Sequence, residues 1–220
     1  MVESVARERG APLIVASRDS LANVGSDDRV HMTTPGGDYG DVHLALAGAH
    51  QAANALLAIR VTEVLAATGL AVPREAVRRG LAEVRWPGRL EHIVLADRRD
   101  LILDAAHNPA GAETLAHFLS GESWRRTLVF AAMRDKDVDG ILRPLLPQVD
   151  AVVLTRASHP RADDPHALAA RVLALAPAVA VHVVPDPAEA LQYAWRISTA
   201  VVVAGSIFLL GDVMKALGRS

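Results

Sequence analysis

The chain has 220 residues, of which 51% are hydrophobic and 22% are charged, and it carries a formal net charge of −2 without any cysteine. This composition excludes a disordered chain, a disulfide framework and a thiolate zinc site, and the mixed charges provide no basic surface for nucleic acid. No apolar stretch approaches the roughly 20 residues of a transmembrane helix. We therefore expect a cytoplasmic protein without membrane or nucleic-acid partners.

The first part of the chain predicts helices and short strands in turn. Residues 1–9 have the pattern of a helix, and residues 12–16 have that of a buried strand. Two alternating runs on either side of residues 35–38 are typical of a β-hairpin, because the turn between them contains proline and glycine. A helical pattern then ends at Gly69, which we expect to form the C-cap, and a further helix starts at Pro73.

From Trp86 onwards, short apolar runs alternate with helical stretches. The predicted strands are residues 92–96, 101–105, 127–131, 151–155, 181–184 and 200–204. The predicted helices are residues 110–119, 137–146, 165–175, 187–195 and 211–217. This alternation predicts an α/β domain with a mainly parallel six-stranded sheet, and the short turn at residues 97–100 makes its first two strands an antiparallel hairpin. We place the domain boundary between residues 86 and 87.

Polar side chains follow several predicted strands, at the place where ligands of open α/β sheets bind. Asp104 stands where it can accept the hydroxyls of a ribose, and His107 where it can stack on a base or donate to a phosphate. The alternative is that Asn108 or Asp104 only caps the helix that starts at Pro109. The residue types alone favour this cap.

Two further segments combine residue types that suit a nucleotide. His50 and Asn54 share one face of a helix start, with Gln51 beside them, where an amide and an imidazole can read an adenine edge. The alternative is that these side chains only form local hydrogen bonds. Arg89 follows a Pro-Gly turn and can hold phosphate oxygens, or it can pair with Glu91.

Charged and small residues near the other strand ends suit an anionic substrate. Ser206 follows Gly205, a small residue that lets a ligand approach the backbone, and the serine hydroxyl can hold a carboxylate or an amine. The alternative is that Gly205 only forms a bend in a buried strand. Lys136 and Arg161 lie in charged loops where such a substrate can meet them. The sequence has neither a glycine-rich P-loop nor a G-x-G-x-x-G fingerprint, so any phosphate is bound by another device.

Six segments together resemble one family. They are GAHQAANALLAI, WPGRLE, LILDAAHNPAGAETL, AAMRDKD, SHPRADDPHALA and VVVAGSIFLLGDV. In this order they resemble folylpolyglutamate synthases and dihydrofolate synthases, the folate branch of the Mur ligase superfamily. The resemblance implies a Rossmann-like C-terminal domain at residues 87–220. It also implies that residues 1–86 are the C-terminal part of a central α/β ATPase domain, whose P-loop half this chain lacks.

The resemblance further implies a reaction. In the family, ATP phosphorylates a pterin-linked carboxylate, and the amine of L-glutamate displaces the phosphate from the acyl phosphate to form an amide. The implied cofactors are ATP and Mg²⁺, with the magnesium ligands in the part of the family's fold that this chain lacks. The implied partners are ATP, L-glutamate and dihydropteroate or folate.

The resemblance also implies which side chains form the site. Those for the nucleotide are His50, Gln51, Asn54, Arg89, Asp104 and His107. Among them, Asn54 contacts the adenine, Asp104 the ribose and Arg89 the phosphates. Arg89 and His107 are the implied catalytic residues, and Ser206 lines the side of the glutamate or acyl phosphate. No metal ligand is implied within the chain.

Without a P-loop and magnesium ligands, we expect this chain, taken as a monomer, to be inactive as a ligase by itself. Phosphoryl transfer depends on the electrostatic stabilisation that these groups provide. Two other interpretations stay open, namely a peptidoglycan-type Mur ligase and a nucleotide-binding or structural domain without chemistry. A Rossmann oxidoreductase is disfavoured by the missing glycine fingerprint.

Overall fold

The chain folds into two compact units. The computed structural model describes residues 2–25, 29–48, 50–95, 98–121 and 126–219. Contacts within the chain divide it into Met1–Arg85 and Trp86–Ser220. No helix in the described ranges is both long and apolar enough to cross a lipid bilayer.

The first unit combines helices with a small antiparallel sheet. Its described helices are α1 (Val2–Glu8), α2 (His50–Ala67) and α3 (Arg74–Glu83). Its described strands are β1 (Leu21–Val24), β2 (Arg29–Thr34) and β3 (Gly37–His43), hydrogen-bonded in the order β1-β2-β3. The β2–β3 pair is the predicted hairpin, with Pro35 and Gly36 in its turn.

The buried strand predicted at residues 12–16 is wrong. This segment is irregular, and the side chains of Leu13 and Ile14 are 42% and 52% exposed. In the described parts of the chain no strand pairs with the segment, so its apolar side chains have no sheet to pack into. Apolar content alone therefore gave a misleading signal at this position.

Helix α2 supplies much of the first unit's core. It is terminated as predicted near Gly69, whose φ of +96° lets the Leu70 amide donate to the Leu65 carbonyl at 3.1 Å. The core joins α2 to the sheet and to α3, and its buried members are Val30, Met32, Tyr39, Val42, Ala52, Ala55, Ile59 and Val77. Another side of α2 leaves apolar side chains exposed, namely Leu57, Val61, Val64 and Leu65.

The second unit is built around a six-stranded sheet. Its strands are β4 (Glu91–Val94), β5 (Asp100–Leu103), β6 (Thr127–Phe130), β7 (Ala151–Leu154), β8 (Ala180–Val183) and β9 (Ala200–Ala204). Their order is β4-β5-β9-β6-β7-β8, in which β4 and β5 are antiparallel and the other neighbours are parallel. The predicted mainly parallel sheet with an antiparallel first hairpin is confirmed. Residues 96 and 97, in the predicted first strand and its turn, lie outside the described residues.

Helices cover both faces of this sheet. They are α4 (Pro109–Ser120), α5 (Val138–Leu145), α6 (Pro165–Leu175), α7 (Pro187–Ile197) and α8 (Ile207–Ala216), with a short 3-10 turn at Leu146–Gln148. Helices α4, α5 and α6 pack against one face, and α7 and α8 against the other. Alternate strand residues point to opposite faces, so Leu128 and Phe130 join the first core and Val129 the second.

Helix α8 starts four residues earlier than the sequence pattern predicts. Ser206 forms its N-cap, because the serine hydroxyl accepts a hydrogen bond from the Phe208 amide at 3.1 Å. Leu209, Leu210 and Val213 then lie buried against the sheet. A short apolar run does not distinguish a strand from a buried helix by its pattern alone, and this explains the difference.

Candidate functional site

The carboxyl ends of the parallel strands β5, β9, β6 and β7 lie along one edge of the second unit. The Gly205 amide, after β9, donates to the Ala105 carbonyl, after β5, at 3.2 Å. This bond joins the segment that contains Asp104 to the segment that contains Ser206. The structure therefore brings these two predicted site segments together, where ligands of open α/β sheets bind.

Asp104, at the end of β5, is half-buried and accepts two backbone hydrogen bonds. Its Oδ2 accepts from the Leu90 amide at 2.9 Å, and its Oδ1 accepts from the Ala106 amide at 2.9 Å. The Ala105 amide in addition donates to the Gly88 carbonyl at 3.0 Å. These hydrogen bonds join the end of β5 to the Pro-Gly turn that precedes β4. The predicted ribose contact stays a prediction.

Arg89 is exposed on that turn. Its guanidinium carbon lies 5.6 Å from the centroid of the Trp86 ring. The alternative partner, Glu91, is engaged elsewhere, because its carboxylate accepts from the Gly88 amide at 2.9 Å and from Arg219 at 3.0 Å. An exposed guanidinium that rests on an aromatic ring keeps its forked donors available for phosphate oxygens.

The start of α4 separates the roles of two neighbouring residues. Asn108 forms the N-cap, with its Oδ1 accepting from the Gly111 amide at 2.8 Å, and Pro109 is the first helical residue. The predicted cap is therefore confirmed for Asn108, whereas Asp104 has the partners described above. His107 lies immediately before the cap, and its side chain is exposed.

Gly205 and Ser206 are both explained by the packing of the chain. Gly205 has a φ of +99°, and a Cβ there would lie within 3.0 Å of the Ala131 carbonyl oxygen and the Phe130 ring. Protein atoms fill this space, so the glycine is required by packing rather than by the approach of a ligand. Ser206 is 2% exposed, and its hydroxyl caps α8 through the Phe208 amide. Its contact with a substrate stays a prediction.

The charged loops after β6 and β7 are held by contacts that the sequence did not reveal. Arg161 pairs with Asp135 at 3.3 Å, whereas the side chain of Lys136 is exposed. The Ser158 amide donates to Asp212 Oδ2 at 2.8 Å, across 54 residues of sequence. No local pattern predicts a partner at such a separation.

In the first unit, the three predicted residues form a chain of hydrogen bonds at the start of α2. Asn54 Nδ2 donates to Gln51 Oε1 at 3.1 Å, and Gln51 Nε2 lies 2.8 Å from His50 Nε2. Because Gln51 accepts through its oxygen, its nitrogen donates to His50, and this assigns the imidazole proton to Nδ1. That Nδ1 is buried and has no partner among the described residues.

Gln51 and Asn54 also line a cavity of about 230 Å³ within the first unit. The other lining residues are almost all apolar, and they are Leu44, Leu46, Ala55, Ala58, Gly80, Leu81 and Val84. The bond to Gln51 uses one amide hydrogen of Asn54, so its carbonyl oxygen and second hydrogen can pair with the edge of an adenine. Apolar walls with an amide among them suit a planar base.

The first unit also contains a titratable side chain with a shifted pKa, Tyr39. Burial, together with the neighbouring Glu63 carboxylate, raises the pKa of Tyr39 above its ordinary value of 10.0. Glu63 accepts hydrogen bonds from Tyr39 and Thr34 and pairs with Arg60, and this cluster joins the hairpin to α2. In the part of the chain that the structure describes, no group of three or more His, Cys, Asp or Glu side chains could hold a metal ion.

Known proteins with similar sequences belong to one family. The family model of the Mur ligase glutamate ligase domain matches residues 88–207. The dihydrofolate synthase/folylpolyglutamate synthase of Mycobacterium tuberculosis is 40% identical over 204 residues, which cover 84% of this chain and 42% of that protein. The enzyme of the same description from Bacillus subtilis is 29% identical over 185 residues, which cover 81% of this chain and 42% of that protein.

Solved structures have the same fold. Mycobacterium tuberculosis folylpolyglutamate synthase complexed with ADP and AMPPCP has a TM-score of 0.84 and 31% identity, over 100% of this chain and 52% of that chain. Escherichia coli FolC in complex with DHPP and ADP has a TM-score of 0.81 and 26% identity, over 99% and 50%. The chain thus spans about half the length of the relatives it matches. From these similarities and the motifs at the strand ends, the chain belongs to the Mur ligase family, in the group of folylpolyglutamate and dihydrofolate synthases.

Proposed function

We propose that this chain is the part of an ATP-dependent ligase that contacts adenine, ribose and glutamate, in an enzyme that adds L-glutamate to dihydropteroate or folate. The observation that carries the proposal is the hydrogen bond from the turn of Arg89 to Asp104, at the carboxyl edge of a Mur ligase glutamate ligase domain. The relatives support the substrate class, since they are folate enzymes and their solved structures include complexes with ADP.

The first unit is proposed to contact the adenine. Asn54 lines an apolar cavity and has an unused amide edge, and Gln51 holds that amide in place. His50 supports Gln51 in turn and carries a buried nitrogen without a partner among the described residues. A buried, unpaired donor is unfavourable, so an acceptor on a bound ligand would stabilise it.

The second unit is proposed to contact ribose, phosphate and the amino acid. Arg89 binds phosphate oxygens through its forked donors, and the Asp104 carboxylate accepts a ribose hydroxyl. His107 lies beside the first turn of α4, where a negatively charged phosphate is favoured. Ser206 acts on the glutamate side of the site. Because its hydroxyl is buried as a helix cap, its influence on the substrate is through the shape of the segment it caps.

In the proposed reaction, an oxygen of the pterin-linked carboxylate attacks the γ-phosphorus of ATP, and the bond from that phosphorus to ADP breaks. The amine nitrogen of glutamate then attacks the acyl carbon, phosphate leaves, and the nitrogen loses a proton as the amide forms. Arg89 would bind the transferred phosphoryl group, whose oxygens carry negative charge throughout. His107 would donate a hydrogen bond to the phosphates.

Magnesium neutralises the phosphates during phosphoryl transfer from ATP. A relative from Yersinia pestis has been solved with AMPPNP and a manganese ion. The described residues of this chain do not fit a metal ion, because they include no group of three ligands. We propose that the magnesium ligands lie in the half of the relatives' fold that this chain does not span.

We further propose that the first unit is the C-terminal part of an ATPase domain. Its apolar side chains Leu57, Val61, Val64, Leu65 and Leu70 are exposed, as is typical of surfaces that contact other protein. The match to about half of the relatives' length supports the same conclusion. The chain alone should therefore not turn over. A monomeric state and a cytoplasmic location are part of this proposal.

A chimeric enzyme tests the proposed function. The matched part of the Mycobacterium tuberculosis relative is replaced by residues 2–219 of this chain, and phosphate release is followed with ATP, L-glutamate and dihydropteroate or tetrahydrofolate. We expect release that depends on all three substrates from the chimera and no release from the chain alone. The variant Arg89→Ala should abolish most of the phosphate release by the chimera. The matched control is Arg171→Ala, since Arg171 is another exposed arginine of the second unit and pairs with Asp139 on the surface.

Three outcomes contradict the proposal. The first is a folded chimera that binds ATP but forms no product with either pterin acceptor. The second is activity only with a peptidoglycan precursor, which would favour the other branch of the family. The third is turnover by the chain alone near the rate of the relative.

A further inference from the structure

Two residues with strained backbones flank the predicted catalytic side chains. Leu90, which follows Arg89, has a φ of +46°, and Ala106, which precedes His107, has a φ of +26°. Positive φ is unfavourable for residues with a Cβ, and it persists only where surrounding contacts hold it. The structure must therefore contain something that holds both positions.

Asp104 provides that restraint for both residues at once. Its Oδ2 accepts from the Leu90 amide and its Oδ1 from the Ala106 amide, each at 2.9 Å. Leu90 and Ala106 are both 4% exposed, so water does not readily replace the carboxylate. Hydrogen bonds to an ionised acceptor are stronger than neutral ones, and a buried amide without a partner is unfavourable.

Backbone contacts around the carboxylate make the two strained positions parts of one assembly. The Ala105 amide donates to the Gly88 carbonyl, and the Ala105 carbonyl accepts from the Gly205 amide. The segment after β5 is thus held between the turn before β4 and the turn after β9. A shift of the carboxylate would move both Arg89 and His107.

We propose that Asp104 is a positioning residue, whose carboxylate holds the backbone at Leu90 and Ala106 and so sets the directions of Arg89 and His107. The benefit to nucleotide binding rests on the proposed function, whereas the positioning itself does not. A ribose contact through the same carboxylate is compatible with this role. The experiment must therefore separate positioning from direct contact.

The variants Asp104→Asn and Ala106→Gly, alone and together, separate the two roles. Asparagine has one acceptor oxygen, so it can accept from only one of the two backbone amides, and its NH₂ group then faces the other amide. Glycine adopts positive φ without a Cβ penalty, so Ala106→Gly removes the backbone strain and residue 106 no longer needs the carboxylate to hold its positive φ. In the double variant, the position of His107 should be largely restored, whereas the position of Arg89, which depends on the Leu90 amide, and any lost ribose contact should not be.

The first readout needs no ligand. In ¹H–¹⁵N spectra of the 220-residue chain, Asp104→Asn should shift the Arg89 side-chain signal and the His107 ring signals, and Ala106→Gly should return those of His107 towards their original positions. The matched control is Asp186→Asn, because Asp186 also accepts two backbone amides, from Ala188 and Glu189 at 2.9 Å each. Asp186 follows β8, four strands from β5, so Asp186→Asn should leave the Arg89 and His107 signals unchanged.

The second readout is affinity for AMPPCP by calorimetric titration. We expect Asp104→Asn to weaken binding tenfold or more, and the double variant to recover the part of the loss that comes from His107. Unchanged ligand-free signals in Asp104→Asn, or a loss of affinity that Ala106→Gly does not reduce, would overturn the proposal. If the unmutated chain binds no AMPPCP, the proposed function fails, while the ligand-free spectra still decide the positioning role.

Hydrogen exchange in the unmutated chain covers the case in which Asp104→Asn does not fold. Both amide hydrogens held by the carboxylate, those of Leu90 and Ala106, should exchange at least a hundredfold more slowly than in an unstructured peptide. Exchange of either at the peptide rate would overturn the proposal.

Discussion

Replacement of Gly205 by alanine should strongly destabilise the second unit. The new Cβ would lie within 3.0 Å of the Ala131 carbonyl oxygen and the Phe130 ring, and Phe130 is fully buried and cannot swing away. The φ of +99° adds backbone strain for any residue with a Cβ. Left-handed strain of about 1–2 kcal/mol and overpacking of about 1–3 kcal/mol give an expected loss of about 2–5 kcal/mol.

Urea unfolding followed by tryptophan fluorescence measures this loss of stability in the second unit. The chain has 3 tryptophans, at positions 86, 124 and 195, and all belong to the second unit. The matched control is Gly211→Ala, on α8, where a Cβ would meet no atom within 4 Å. Alanine is a better helix former than glycine, so the control should gain about 0.5–1 kcal/mol. Equal unfolding midpoints for Gly205→Ala and the unmutated chain would refute the packing argument.

Three further predictions concern single side chains. Arg89→Ala should change the unfolding free energy by less than about 1 kcal/mol, because only an exposed cation–π contact is lost. The same variant should weaken AMPPCP binding by about tenfold or more in calorimetry, since a charge-assisted contact is removed. Equal affinity would mean that Arg89 is not a ligand. Asn108→Ala should lower the urea midpoint by the equivalent of about 1 kcal/mol, because α4 loses its cap; an unchanged midpoint would contradict this. The stability of the first unit should fall as pH rises above about 10, because the raised pKa of Tyr39 means that the unfolded chain loses its proton first. Circular dichroism melts should show a smaller fall in Tyr39→Phe, and an equal fall would refute this assignment.

Much of the second unit could be predicted because its signals are local. Alternating apolar runs and helical stretches follow from the burial of a sheet between two layers of helices, so the parallel sheet is visible in the sequence. The cap at Asn108 depends on residues within one turn of the helix end, and so does the end of α2 at Gly69 in the first unit. Such features need no knowledge of distant contacts.

The parts that could not be predicted depend on distant partners. The segment at residues 12–16 has the apolar content of a strand, but no described strand pairs with it. Asp104 was expected to hold a ribose or cap a helix, whereas its observed partner Leu90 lies 14 residues earlier in the sequence. Gly205 was interpreted as room for a ligand or a bend, and only the position of Phe130 shows that protein atoms fill that room.

The central claim is the proposal that specific side chains of this chain are nucleotide ligands. Titration of the ¹⁵N-labelled chain with AMPPCP tests it most directly, because each residue reports separately. We expect saturable shifts at the side-chain amide of Asn54 and at Arg89, Asp104 and His107, and none at Asp186, which lies after the far edge strand β8. Saturable shifts confined to other residues, or no shifts at millimolar AMPPCP, would contradict the account.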